Sequence, residues 1–299
     1  MQICFRGEMV FYLVFVCAVL LLPVLCCADD GSQVQRKHAE LEDFRNKLAL
    51  WDAEGQHLTM REIEAARKEY GAGIYFFRSS ESNDLDIKKL KESGWILIKT
   101  AHPGYPPFSE EEFLKDREKV VAWAKAAAAE PLVDGVALDV ESSTATTHMY
   151  AMQVLSEETR KAGKLFHVAP HFSLDRWNES QEHVTVDDYN KYADAIWPWL
   201  YNRLRQPTYG EGLHKMLKDW KAAGIKPPLY PIFDWGRPHY GGIDAAEASR
   251  VPAYLRKNGI ESICLFQPHI SFRDRGTNPN YGKLWDDLRD NYGLQRQVK

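Results

Sequence analysis

A closed (β/α)8 TIM barrel of the α/β class is the fold that this 299-residue sequence predicts, and three observations carry the prediction. A helical stretch rich in Lys and Arg runs into Gly and then directly into a short apolar segment, again and again along the chain. Helix starts carry capping-box spacing. With three further strands the apolar segments make eight strand-helix units, and eight alternating units close naturally into a ring. An open doubly wound sheet is the alternative, but no Gly-rich phosphate loop follows any strand.

The chain opens on a nearly continuous apolar run, Val10 to Cys27, behind Arg6. Pro23 breaks it, and it ends at Cys26-Cys27-Ala28 ahead of Asp29-Asp30. Small residues followed by acidic ones mark a signal peptide cleaved after Ala28. Residues 1–28 are therefore assigned to a signal peptide, and the mature chain to a secreted or otherwise extracytoplasmic compartment, with no membrane span of its own. The alternatives are an uncleaved anchor, since about 18 apolar residues suffice to cross a bilayer, and a lipid tether at Cys27 behind Val24-Leu25-Cys26. Glu8 is out of place in a basic leader head, which makes Met9 an alternative start. Cys4, Cys17, Cys26 and Cys27 lie in the leader, so of the five cysteines only Cys264 remains and no internal disulfide can form. Asn178-Glu179-Ser180 is a glycosylation sequon, relevant only in a eukaryotic host.

Residues 29–47 read as a tail and lead-in helix, and residues 48–299 as one barrel. Leu48 to Trp51 is the first strand. The Gly punctuation then places Ile74 to Phe77 after Gly71, Trp95 to Ile98 after Gly94, Leu165 to Val168 after Gly163, Leu229 to Phe233 after Gly224 and Ser262 to Phe266 after Gly259. Each Gly sits where a helix ends, with cations on the negative end of the helix dipole and a residue free to turn left-handed. Thr59-x-x-Glu62 and Ser109-x-x-Glu112 have capping-box spacing. Gly135 to Val140 supplies the fourth strand and Ala195 to Tyr201 the sixth.

The fourth strand carries the chemistry. In Asp134-Gly135-Val136-Ala137-Leu138-Asp139-Val140-Glu141, side chains alternate, so Val136, Leu138 and Val140 suit the helix layer. Gly135, Ala137, Asp139 and Glu141 then point into the barrel, with both carboxylates at the C-terminal end, where barrel enzymes keep their sites. Carboxylates about 7 Å apart along one strand repel in a low dielectric, which favours holding a proton on the pair. A protonated acid near neutral pH is what glycoside cleavage requires.

The run resembles the D-G-x-D-x-D-x-E signature of family 18 chitinases, the D-G-x-x-x-N-x-E signature of family 85 endo-β-N-acetylglucosaminidases, and the D-x-E of hyaluronidases. The resemblance implies a retaining, substrate-assisted glycosidase of β-linked N-acetylhexosamine glycans. Glu141 would be the acid and then the base, and Asp139 the partner of the 2-acetamido group, which is itself the nucleophile. Tyr201-Asn202 is similar to the Tyr-Asp or Tyr-Asn ending the sixth chitinase strand, with Tyr201 contacting the acetamido group, and Ala169-Pro170 is similar to their Ala-Pro. Two departures stand out. Ala137 replaces the first acidic residue of the chitinase motif, and Phe266-Gln267 stands where chitinases place the Trp that floors the sugar site. Phe266 or Trp235 is the substitute.

Asp52, His102, His171, Asp234, Gln267 and His269 also fall near strand C-termini, and the first five join Asn202, Trp235 and Phe266 as candidate substrate-binding residues. No cofactor or metal is expected. His167 and His171, four apart on one strand face, stand about 13 Å apart, too far to chelate together. A metal-dependent barrel hydrolase is nonetheless one alternative, a sugar-binding barrel without turnover a second, and a glycosidase with Asp52 or Asp234 as carboxylate partner a third. Nine Trp and fourteen Tyr are more than a core of this size needs and suit sugar faces, whereas a net charge of −4 gives no reason to expect nucleic acid. The expected partner is a glycan and the expected state a monomer.

Overall fold

Strands and helices alternate through the chain, and every strand pairing is parallel. The strands are β1 (Leu48–Trp51), β2 (Ala72–Phe77), β3 (Ile96–Ala101), β4 (Gly135–Val140), β5 (Leu165–Pro170), β6 (Ala195–Ile196), β7 (Ile232–Asp234) and β8 (Ile263–Phe266). The helices are α1 (Met60–Tyr70), α2 (Ile87–Glu92), α3 (Arg117–Ala128), α4 (Ala145–Lys161), α5 (Val186–Tyr192), α6 (Tyr209–Ala222), α7 (Ala245–Ala248), α8 (Val251–Lys257), α9 (His269–Asp274) and α10 (Pro279–Tyr292). The computed structural model describes residues 44, 47–52, 58–78, 85–101, 115–140, 145–170, 184–199, 208–234 and 245–294. The proposed leader and the Ser109 capping box lie outside them. Among the described residues no helix is long and apolar enough to cross a membrane.

The eight strands form one sheet in the order β6-β5-β4-β3-β2-β1-β8-β7. Its two ends meet. Ile196 bridges Leu229 and Trp199 bridges Ile232, both parallel, and the Tyr230 and Ile232 amides donate to the carbonyls of Ile196 and Pro198 at 2.9 Å each. The sheet is thus a closed ring, as a (β/α)8 barrel requires. The sixth strand was expected to run from Ala195 to Tyr201, but its regular part covers only Ala195–Ile196. Proline explains the interruption: Pro198 has no N–H for the ladder, and Pro228 and Pro231 punctuate the facing segment in the same way. The chain nevertheless follows β5 further, with the Trp197 and Trp199 amides donating to the Val168 and Pro170 carbonyls.

Five glycines expected to end helices, Gly71, Gly94, Gly163, Gly224 and Gly259, all have positive φ. Thr59 and Glu62 make the expected reciprocal capping box on α1. Two more boxes, Thr185 with Asp188 on α5 and Thr208 with Glu211 on α6, have the same Thr-x-x-acid spacing. The sheet's outer face buries Leu50, Phe77, Leu97, Leu138, Val168 and Leu265 in one cluster with helix residues such as Ile63, Leu90, Val120, Leu155, Leu213 and Trp285.

Gly71 is under a second constraint besides its φ of 71°. Its carbonyl accepts from the Leu294 amide at 2.8 Å, and a Cβ added there would lie 2.4 Å from that nitrogen, whereas at Gly163, also at φ 71°, a Cβ would meet nothing within 4 Å. Gly163→Ala should therefore cost only the left-handed backbone penalty, about 1–2 kcal/mol. Gly71→Ala should cost clearly more, because it also expels the C-terminal segment. Denaturant unfolding of the two variants checks this, and equal losses would mean that docking at Gly71 contributes nothing.

Candidate active site

Strand parity and the size of the lumen together decide where Asp139 stands. Val136 and Leu138 belong to the helix-facing cluster, so Ala137 and Asp139 occupy the lumen face of β4. Asp139 is in register with Ala169 on β5, and Ala137 beneath it with Thr100 on β3 and His167 on β5. Asp139 is 9% exposed, at the C-terminal end of the ring. Its described neighbours on the lumen face, Ala137 below it and Ala169 beside it, are small.

The opposite wall is aromatic. Trp51 on β1 stacks on Phe76 of β2 with ring centroids 4.6 Å apart and meets Trp199 edge-on at 5.4 Å. Phe76 meets Trp197 at 4.9 Å. Neither β1 nor β2 neighbours the β6 segment in the sheet, so these contacts cross the lumen. Phe266, ending β8, meets Trp199 edge-on at 4.3 Å. Rings from β1, β2, β6 and β8 fill the barrel, while Ala137 on β4 and Ala169 on β5 lie next to Asp139.

His167 lies one layer below Asp139, fully buried, and its Nδ1 accepts a hydrogen bond from Trp197 Nε1 at 3.0 Å. Burial pushes the imidazole down to about 4, only partly opposed by Asp194, so it is neutral and its proton sits on Nε2. The ring explains Gly135: a Cβ there would lie 2.9 Å from His167 Nε2 and 2.8 Å from the Leu165 carbonyl oxygen. The glycine of the Asp-Gly pair is required by packing.

Asp52 corrects an expectation. It follows β1 as foreseen, but Trp51 points inward, so Asp52 turns to the helix side. Its Oδ2 accepts from the hydroxyl of Tyr75, a member of the helix-facing cluster, and it is 1% exposed. It therefore belongs to the wall behind the ring and does not line the mouth. The alternation that placed Asp139 would have found this. Gln267 and His269 are buried after β8. Gln267 takes a left-handed φ of 49°, a costly conformation for a side chain of this kind, and its amide donates to the Trp51 carbonyl at 2.9 Å.

Asp234 ends β7 in register with Phe266. Glu141, Tyr201, Asn202, His102, His171 and Trp235 lie outside the described residues. Among the described residues no three His, Cys, Asp or Glu side chains come together to hold a metal ion. The residues that the sequence reading missed are the lumen rings Trp51, Phe76, Trp197 and Trp199, and period-two alternation extended along each strand was the signal for them.

No protein-family model and no curated protein matches this sequence. Solved structures do match, through the fold. The spore cortex-lytic enzyme SleL of Bacillus megaterium superposes with a TM-score of 0.57 at 10% identity, over 84% of this chain and 75% of SleL. The ICChI chitinase of Ipomoea carnea superposes with a TM-score of 0.53 at 14% identity, over 81% and 99% of the two chains. The xylanase-A-amylase inhibitor protein XAIP-III gives the same TM-score of 0.53 at 14% identity, over 81% and 98%. At such identities the likeness is one of architecture: this chain has the barrel that these proteins share.

Two outcomes follow from the lumen packing. Gly135→Ala overpacks a rigid site and should destabilise the fold by about 1–3 kcal/mol or abolish it, as chemical denaturation would report. The His167 ring should titrate near 4 in the folded protein against 6.5 for an ordinary imidazole, followed by its NMR shifts. Because the folded value is depressed, the stability it contributes is present above about 6.5 and is lost as the pH falls toward about 4.

Proposed function

We propose that this protein is a retaining glycoside hydrolase of β-linked N-acetylhexosamine glycans, working with Glu141 as acid and base and Asp139 as the partner of the substrate's 2-acetamido group. The observation that supports it is the lumen-facing Asp139 at the C-terminal end of β4, two residues before Glu141 in a motif resembling that of substrate-assisted glycosidases. SleL and the chitinases, whose barrel this chain shares, add support through architecture alone.

In this reading Glu141 gives its proton to the glycosidic oxygen as the bond to the anomeric carbon breaks. The acetamido oxygen attacks that carbon from the other face, and Asp139 orients the group and offsets the positive charge it gains. Glu141, now a carboxylate, then takes a proton from the water that opens the cyclic intermediate. Two displacements at one carbon give net retention. Tyr201 and Asn202 would contact the acetamido group, and Phe266, the ring ending β8, or Trp235 would take the sugar face that a Trp takes in chitinases. His102, His171, Asp234 and Gln267 are the remaining candidates for the mouth. Export behind a cleaved leader, residues 1–28, belongs to the same reading, since such glycans lie outside the cytoplasm.

A second reading is a sugar-binding barrel without turnover. Ala137 and Phe266 favour it, as both depart from the chitinase pattern, and an inhibitor protein carries the same architecture. Hydrolysis of β-1,4-linked N-acetylglucosamine oligomers, followed by chromatography and by NMR of the product anomer, separates the two. The glycosidase reading expects β-anomeric product, a fall in kcat of about 10²–10⁴ for Glu141→Gln, a comparable loss for Asp139→Asn, and oligomer binding retained in Glu141→Gln. Chelator should leave the rate unchanged. Binding without turnover in the unsubstituted protein would favour the second reading, and full activity in Glu141→Gln would remove Glu141 from its role.

A further inference from the structure

Asp52 plays no part in the site described above, and its surroundings are unusual for a carboxylate. Oδ2 accepts two neutral donors, the Tyr75 hydroxyl at 2.5 Å and the Leu58 amide at 3.1 Å, while the buried Oδ1 accepts none. Among the described residues, the ionisable groups acting on it are Tyr75 on β2, Glu62 on α1 and Arg273 on α9. Arg273 is the only cation of the three, and Glu62 already holds it, with Nε to Oε1 at 2.7 Å and Nη2 to Oε2 at 2.9 Å. Glu62 is itself held down to about 2, chiefly by that guanidinium, so the pair stays intact across the neutral range. Among the described residues Asp52 is therefore a desolvated acid without a counter-ion of its own. Burial raises it to about 7 against the pull of Tyr75 and Leu58.

We infer that Asp52, Tyr75 and the Leu58 amide form a proton-controlled clip, which fastens the returning chain at Leu58 to the barrel wall while Asp52 is protonated and loosens as the carboxylate ionises. The protonated acid can carry its hydrogen on Oδ1 and leave Oδ2 to accept both donors. The ionised acid keeps the same donors but places a bare charge in a buried site, which any opening that admits water relieves. Leu58 directly precedes Thr59, the N-cap of α1, and Asp52 directly follows Trp51 of the lumen stack. The clip thus sits behind the ring at the C-terminal end of β1, and makes the attachment of α1's N-terminus to the wall sensitive to pH. It stands on its own geometry, whatever reaction the barrel performs.

The sign follows from linkage. The closed state holds the proton up to about 7 and an exposed Asp releases it near 3.8. The fastening is therefore complete below about 3.8, weakens as the pH rises toward about 7, and levels off above. His167 acts in the opposite sense over an overlapping range, so global melting would mix the two and local readouts are needed.

The test uses the full chain. Carbon NMR of the Asp52 carboxyl should give a midpoint well above the ordinary carboxylate range, and a midpoint near 4 would overturn the clip. Hydrogen exchange at the Leu58 amide, corrected for its intrinsic pH dependence, should lose protection by about tenfold or more between about pH 4.5 and 7.5. Asp52→Asn should make that protection independent of pH, and Tyr75→Phe, which removes a donor to the charged form, should move the Asp52 midpoint upward. Flat protection in the unsubstituted protein, or an unchanged slope in Asp52→Asn, would also overturn it. The measurements on the unsubstituted protein decide the matter even if either variant fails to fold.

Discussion

A ring of parallel strands holds together only if its lumen is filled, and in this protein the filling is done by rings that reach across it. Trp51 and Phe76 come from one side and Trp197 and Trp199 from the other. They meet where the sheet is weakest. The junction between the β6 segment and β7 is interrupted by Pro198, Pro228 and Pro231 and held by isolated bridges. Indole packing at that junction, including Trp197 against Tyr230 at 4.9 Å, supplies cohesion that the interrupted ladder lacks. It also excludes water from the hydrogen bonds that remain.

The same packing determines where a polar group can stand. The rings of β1, β2, β6 and β8 are joined in the lumen by the His167 ring of β5, and Gly135 on β4 is where that ring leaves no room for a Cβ. Ala137 follows Gly135 upward on the lumen face of β4, and Asp139 comes next, in register with Ala169. His167 is polar yet tolerable in the interior because it is neutral and its Nδ1 is met by an indole N–H. Ring packing in the lumen thus bears on both the seam, through Trp197 and Trp199, and the glycine of the motif, through His167.

How far the sequence could be read depended on whether the signal was local. Helix ends were legible because a left-handed Gly and a Thr-x-x-Glu box are chemistry within a few residues, and Gly71, Gly94, Gly163, Gly224 and Gly259 all behave as local rules require. The inward turn of Asp139 was equally legible from alternation along one strand. The shortening of β6 was foreseeable only with attention to Pro198, and the misplacement of Asp52 came from treating closeness to a strand end as enough. One residue of parity carried Asp52 through the wall, away from Trp51 and into contact with Tyr75. The cross-lumen contacts of Trp199 were not legible, because they join strands far apart in the chain and no local pattern encodes which rings meet.

Architecture alone does not separate turnover from binding here, since chitinases and an inhibitor protein share this ring. The difference must lie in the few groups at its mouth, and Ala137 is the most telling of them. Where the chitinase pattern sets a second acid beneath the aspartate, this lumen sets a methyl group, packed between Thr100 on β3 and His167 on β5. His167 is buried, neutral and bound to Trp197, so it does not stand in as an exchangeable proton donor in the neutral range. Below Asp139 on the lumen face of β4 the sequence therefore offers no second carboxylate, only Ala137 and Gly135. The proposed reading thus rests, on this strand, on Asp139 and Glu141 without the lower acid of the chitinase motif.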